Sequence, residues 1–153
     1  QVDFSMPERF ELEYTDKDNE KKRPIMVHRA IYGSLERFIG ILLEHTNGRL
    51  PLWLAPIQVR ILNFTERNEK YAKQIIEKLK KEIPNLRIDS DFEAKTVQAK
   101  VKEAEIMKIP LIIVVGDKEE KESSVAVRKD GKVENVKIEK FIENLASEIK
   151  NRE

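Results

Sequence analysis

The chain has 153 residues, 37% charged and 40% hydrophobic, with a formal net charge of +1. That is room for one domain with a real core and a smaller appendage, and the balanced charge excludes strong long-range pull on a polyanion. The absence of cysteine excludes disulfides and thiolate metal sites, and no run of about 18 apolar residues offers a membrane-spanning helix.

Residues 10–14 alternate apolar and polar and predict a half-exposed strand. A polar turn over 15–20 leads to a second strand over 23–28, so the two predict a hairpin. Gly33-Ser34 then marks a turn and a helix cap, and the helix is expected from Ser34 to His45. Its spacing predicts an apolar face of Leu35, Phe38, Ile39, Leu42 and Leu43. Arg37 falls in the first turn, where a cation opposes the helix dipole. Helix N-termini suit anions, so a phosphate is the candidate ligand there. Asn47-Gly48 closes the helix as a C-cap, and residues 51–56 are expected as a linker.

From Ile57 the pattern becomes alternating strand and helix. A strand over 58–64 precedes a helix capped by Thr65 and running to about Glu82, with Ala72, Ile75, Ile76, Leu79 and Ile83 on one face. A short strand over 86–88 and a helix over 94–107 follow; that helix is expected to bury Val97, Val101 and Ala104. Leu111 to Val115 is apolar on both faces, as a central strand should be. Strands over 125–128 and 132–136 flank Asp130-Gly131, a strong hairpin turn. A last helix over 138–149 should bury Phe141, Ile142, Leu145 and Ile149. The order βαβαβββα predicts an α/β sandwich on a mixed sheet, preceded by a strand–strand–helix piece. The division is placed at 1–50, 51–56 and 57–153.

Pro24 to Ala30, with Gly33-Ser34-Leu35-Glu36-Arg37-Phe38-Ile39-Gly40-Ile41-Leu42, resembles motif 3 of class II aminoacyl-tRNA synthetases, in their threonyl branch. Gln1 to Phe4 resembles the strand before that motif, and Pro51 to Val59 the run after it. Gly116-Asp117-Lys118-Glu119 and Val125 to Arg128 resemble the same family's anticodon-binding domain.

The resemblance implies that Arg37 grips the γ-phosphate of ATP, that His28 is a zinc ligand, that Ser34 lies beside the bound threonine, and that Gln1 lies near the active-site floor. Zinc suits that task, because a metal needing an oxygen ligand separates threonine from isosteric valine. It also implies that Glu119 and Arg128 face anticodon bases. A carboxylate accepts from base amino or imino groups, and a guanidinium donates in pairs or stacks. Ala94 stands where other members place a base-contacting asparagine, and Gln98 where they place a glycine. Lys95, Lys100 and Lys102 are the candidates for phosphate contacts beside them. Taken without the resemblance, His28 is a surface histidine, Ser34 a cap, Arg37 a solvated charge, and Glu119 part of a charged loop.

The full enzyme of such a family joins threonine to its tRNA with ATP and Mg2+, holds zinc, forms a homodimer and works in the cytoplasm. This chain lacks motifs 1 and 2 and the other two zinc ligands, so it is expected to be a C-terminal part, inactive alone, holding no cofactor tightly. The alternative reading is a stand-alone, non-enzymatic RNA-binding module. An unrelated nucleotide-binding domain is a third, but no glycine-rich phosphate loop follows the strand at 58–64.

Overall fold

The computed structural model describes residues 1–152, and the chain divides into two compact units, Gln1–Ile41 and Leu42–Glu153. The division falls inside the motif helix, earlier than the break expected near residue 50.

In the first unit, β1 (Val2–Asp3) pairs antiparallel with β4 (Met26–Val27), and β2 (Tyr14–Thr15) with β3 (Lys21–Lys22). A short helix, α1 (Ser5–Arg9), was not expected. Asp3 starts it by accepting from the Ser5 and Met6 N–H groups at 2.9 and 3.0 Å, and Pro7 suits a first turn. The expected hairpin therefore becomes two smaller pairings, and the strand over 10–14 survives only at Tyr14. Glu11, at φ 50°, breaks its alternation. The motif helix is α2 (Leu35–Thr46), close to expectation. It buries none of its residues, so the predicted apolar face of Leu35, Phe38, Ile39, Leu42 and Leu43 is not covered. Gly48, at φ 72°, closes it by donating to Leu43 O at 2.8 Å.

The second unit holds a five-stranded mixed sheet of order β6-β5-β7-β8-β9. Its strands are β5 (Val59–Asn63), β6 (Ile88–Asp91), β7 (Leu111–Val115), β8 (Ser124–Lys129) and β9 (Lys132–Lys137). β5 runs parallel to both β6 and β7; β8 and β9 are antiparallel. All of β5 is buried: Val59, Ile61 and Leu62 are apolar, Arg60 donates to Asp89 and Asn63 accepts from Lys100. Asp130 and Gly131 both take positive φ, 49° and 78°, the conformation a two-residue hairpin needs.

Three long helices cover this sheet: α3 (Glu69–Glu82), α4 (Val97–Ile106) and α6 (Ile138–Asn151). A core of Val59, Ile61, Ile113, Val115, Val125 and their neighbours packs under α3 and α6. A smaller cluster of Leu62, Ile112, Ala104 and Ile109 lies under α4. A short helix, α5 (Asp117–Glu122), was not foreseen in the charged run after β7. Residues 51–56 are not a free linker. Leu52 joins the core, and Arg87 donates to the Trp53 and Ala55 carbonyls, each at 2.8 Å.

Candidate nucleic-acid interface

Side chains on a strand alternate between faces, and register carries that alternation across the sheet. Ile112 faces Arg128, and Val114 faces Ala126; Ala126 faces Asn135 and Arg128 faces Val133. These residues share the face that α4 occupies over β5. Ile112 is buried there, whereas Ala126 and Arg128 are half-buried and Asn135 and Val133 exposed. α4 thus covers one half of the face and leaves β8 and β9 open.

Arg128 stands on that open half, with Nη1 3.5 Å from Glu105 Oε1 of α4. Beside it a cleft of about 500 Å³ runs between the start of β7 and the β8–β9 turn; Arg49, Lys108, Arg128 and Lys129 line it, and so do Glu105, Asp130 and Glu148, which pair with all of these cations but Lys108. Lys108 was not singled out from the sequence; only its place just before Ile109-Pro110 could have drawn notice. It has no ion pair among the described residues.

Glu119 lies past the other end of β7, where its Oε2 accepts from the Gly116 N–H at 3.0 Å. Four residues, roughly 13 Å of strand, separate Ile112 from Gly116. Arg128 and Glu119 therefore sit too far apart to hold one base between them. Nearby, Asn68 is fully buried and donates to Asp117 Oδ1 at 2.8 Å and Glu120 Oε2 at 3.3 Å. Tyr71 OH donates to Ser124 O at 3.2 Å. Burial, with Glu120, Glu139 and Glu119 nearby, raises its pKa above the ordinary 10.0.

The two lysines expected on phosphate separate. Lys102 is exposed. Lys100 is only 2% exposed, and its ammonium donates to Asn63 Oδ1 at 2.6 Å. The reading of Lys100 as a phosphate contact is corrected: α4 presents Lys100 and Ala104 to the sheet, with Val97 and Val101 only half-buried. Lys95 is held by Glu93 and Glu103.

In the first unit, His28 Nε2 lies 2.9 Å from Asp3 Oδ2, and the His28 N–H donates to Gln1 O at 2.9 Å. The Met6 N–H and then His28 hold the Asp3 carboxyl below its ordinary value of 3.8. Ser34 Oγ accepts from the Arg37 N–H at 3.3 Å and donates to Glu36 at 2.7 Å, which lowers the Glu36 pKa. The Arg37 guanidinium has no partner among the described residues. No three histidine, aspartate or glutamate side chains among those residues gather where a metal could be held.

The family described as anticodon binding domain matches residues 58–148. The chain belongs to that family. Residues 1–46 match the class II tRNA synthetase core domain (G, H, P, S and T), so the end of such a core precedes the anticodon-binding domain. Similar relatives are the threonine–tRNA ligase catalytic subunits of Sulfolobus acidocaldarius and Saccharolobus solfataricus, each 48% identical over the whole chain and 28% of the relative. A threonine–tRNA ligase of Syntrophomonas wolfei is 46% identical over 99% of this chain and 24% of its own length. The chain thus spans about a quarter of the curated relatives it matches. Among solved structures, the RNA binding domain of threonyl-tRNA synthetase from Cryptosporidium parvum aligns with a TM-score of 0.75 and 32% identity, over 96% of this chain and 37% of that one. The mixed α/β sheet read from the sequence agrees with that fold.

Proposed function

We propose that this chain is the RNA-reading end of a threonine–tRNA ligase, its second unit gripping the anticodon loop of threonine tRNA. One observation carries this: Arg128 stands on the sheet face that α4 leaves open, inside the stretch matching the anticodon-binding family. With Glu119 past the far end of β7, the two read different positions of a loop laid along that edge. Arg128 donates to base edges or stacks, and Glu119 accepts from an amino or imino group. Lys102 adds a phosphate contact without sequence preference.

The parent ligase binds ATP with Mg2+, threonine and threonine tRNA, works as a cytoplasmic homodimer, and carries zinc. In the first unit Arg37, with its guanidinium free at the start of α2, is the residue to neutralise a phosphate. Ser34 fixes that first turn through the Arg37 N–H. Gln1 and His28 are joined by a backbone hydrogen bond just beyond the β1–β4 pair, which supports Gln1 near the active-site floor and His28 beside it. For zinc the residues present do not suffice. Among the described residues His28 has Asp3 as its neighbour and no third donor, so no step is assigned to the metal here. The match of residues 1–46 to a synthetase core speaks against a stand-alone RNA module.

The test is a titration of the chain with RNA hairpins carrying a threonine anticodon or single substitutions in it. Tighter binding of the threonine hairpin is expected. Equal affinity for every loop would defeat the reading.

A further inference from the structure

Phe64 follows β5 directly, and its N–H donates to Val115 O at 2.8 Å, so its backbone is tied into the sheet. Its side chain is nevertheless 60% exposed. A single exposed phenylalanine is ordinary. This one has specific company. A methyl group on Gly116 would meet Phe64 Cβ and Cγ at 3.5 and 3.8 Å, and Glu119 Oε2 at 3.0 Å. The root of the ring, a bare glycine and a carboxylate therefore converge on one spot. Glu119 Oε2 is occupied by the Gly116 N–H, while Oε1 accepts nothing from the described residues.

The spot also has a place in the topology. It lies at the carboxyl ends of β5 and β7, which are adjacent and parallel. β5 leads to β6 on one side, and β6 then crosses to β7 on the other, so the strand order reverses between β5 and β7. In open α/β sheets, that crevice is where ligands sit.

From these positions we infer that Phe64 is a stacking platform for one unpaired base of an RNA loop, with Glu119 Oε1 accepting from a base edge beside it. The inference rests on the RNA-reading function proposed above. The chemistry divides the work. Every base has a π-face, so the ring supplies affinity with little sequence preference. The carboxylate rewards only bases that present an amino or imino hydrogen at that edge. The sheet-locked backbone of Phe64 limits the ordering cost, because the platform is in place before the RNA arrives.

The test uses the 153-residue chain and its F64A, F64L, F64Y and F64W variants, titrated with a hairpin bearing the threonine anticodon and with loop variants. Thermal midpoints are measured alongside. F64A and F64L should lose about fivefold or more in affinity, by a similar factor for each loop variant, the lower end of what base stacking contributes. F64Y and F64W should stay close to wild type, and the extra indole of F64W should be quenched by RNA relative to wild type. Midpoints should not move, since the ring is exposed. If wild type discriminates among loops but F64A binds as well as wild type, the platform is refuted and the RNA reading stands. Recovery of F64A's loss by F64L would make the contact merely apolar, the kind a protein partner also makes, and would likewise refute stacking. A wild type that discriminates among no loops removes the underlying reading and this inference with it.

Discussion

Lys100 Nζ donates a 2.6 Å hydrogen bond to Asn63 Oδ1, and both residues are 2% exposed. No carboxylate pairs with this ammonium among the described residues. The bond is the first link of a longer chain. Asn63 Nδ2 donates to Thr65 O at 3.0 Å, Thr65 Oγ1 to Asn68 Oδ1 at 2.8 Å, and Asn68 to Asp117 and Glu120. The hydrogen-bonded chain thus runs from buried Lys100 on α4, past the end of β5, to exposed carboxylates on the helix that carries Glu119.

That arrangement predicts an order of stabilities. Lys100→Met removes a buried charge but leaves Asn63 without its donor, which costs about 1–3 kcal/mol. Lys100→Ala adds a cavity and should cost about 2–5 kcal/mol. Urea unfolding should rank wild type above Met above Ala. Equal midpoints for all three would mean that the ammonium reaches water. In RNA titrations Lys102→Ala should flatten the salt slope by about 1, and Lys100→Met should leave it unchanged.

Gln58 gives a second stability prediction. It is 2% exposed, donates to Leu52 O at 3.0 Å and accepts from the Arg87 N–H at 3.0 Å. Gln58→Leu keeps the volume but orphans two backbone groups, at about 1–3 kcal/mol each. Chemical denaturation should show a loss of about 2–6 kcal/mol, the sum for the two groups. A neutral result would mean that water replaces both bonds.

Strand and helix periods in 57–152 were legible because burial enforces them: β5, β7 and the α6 face match their apolar patterns. The first unit was harder to read. Only Pro7 is buried among residues 1–41, so little packing fixes a strand there, and the Asp3 cap made a helix instead. Arg128 and Glu119 could be singled out by resemblance. Lys100 misled because a lysine on a helix reads as solvated, and only the sheet beneath α4 shows its amine turned inward. Phe64 was hidden because one aromatic at a strand end carries no period.

Tyr71 sets an alkaline limit. Its folded-state pKa is raised, first by burial and then by Glu120, Glu139 and Glu119. A raised value means the fold holds the phenolic proton more tightly than the unfolded chain does. This contribution is therefore complete below the ordinary 10.0 and is lost as pH rises through the higher folded value. Tyrosinate absorbance should show one group, absent in Tyr71→Phe, titrating after the others. A Tyr71 that titrates with the exposed tyrosines would contradict the burial.

Asp3 acts at the acid end. Its folded value is lowered by the Met6 N–H first and by His28 second. Its contribution to the first unit is complete above the ordinary 3.8 and is lost as pH falls through the lower folded value. A carboxyl-detected NMR titration should place Asp3 below the other aspartates that lack such donors. Asp3→Asn should remove the acid-dependent loosening of the β1–β4 pair. Retention of that loosening would assign it to another group.

The last prediction concerns what RNA must displace. The Arg128 guanidinium is 3.5 Å from Glu105, with 29% of the Arg128 side chain exposed. A half-exposed ion pair is worth little in itself, about 1 kcal/mol or less. It nevertheless competes with any base edge for the same N–H groups. Arg128→Ala should cost about 1–3 kcal/mol in binding to the threonine hairpin, the range of a good base contact. Glu105→Gln keeps the side-chain shape and removes the competing charge, so binding should tighten by up to about 1 kcal/mol at low salt and by less as salt screens it. The two changes act on one guanidinium, so they cannot add: in the Arg128→Ala background, Glu105→Gln should lose most of its effect. A gain of the same size in both backgrounds would mean that Glu105 merely repels phosphate, and that Arg128 does not meet the RNA through the groups it now shares with Glu105.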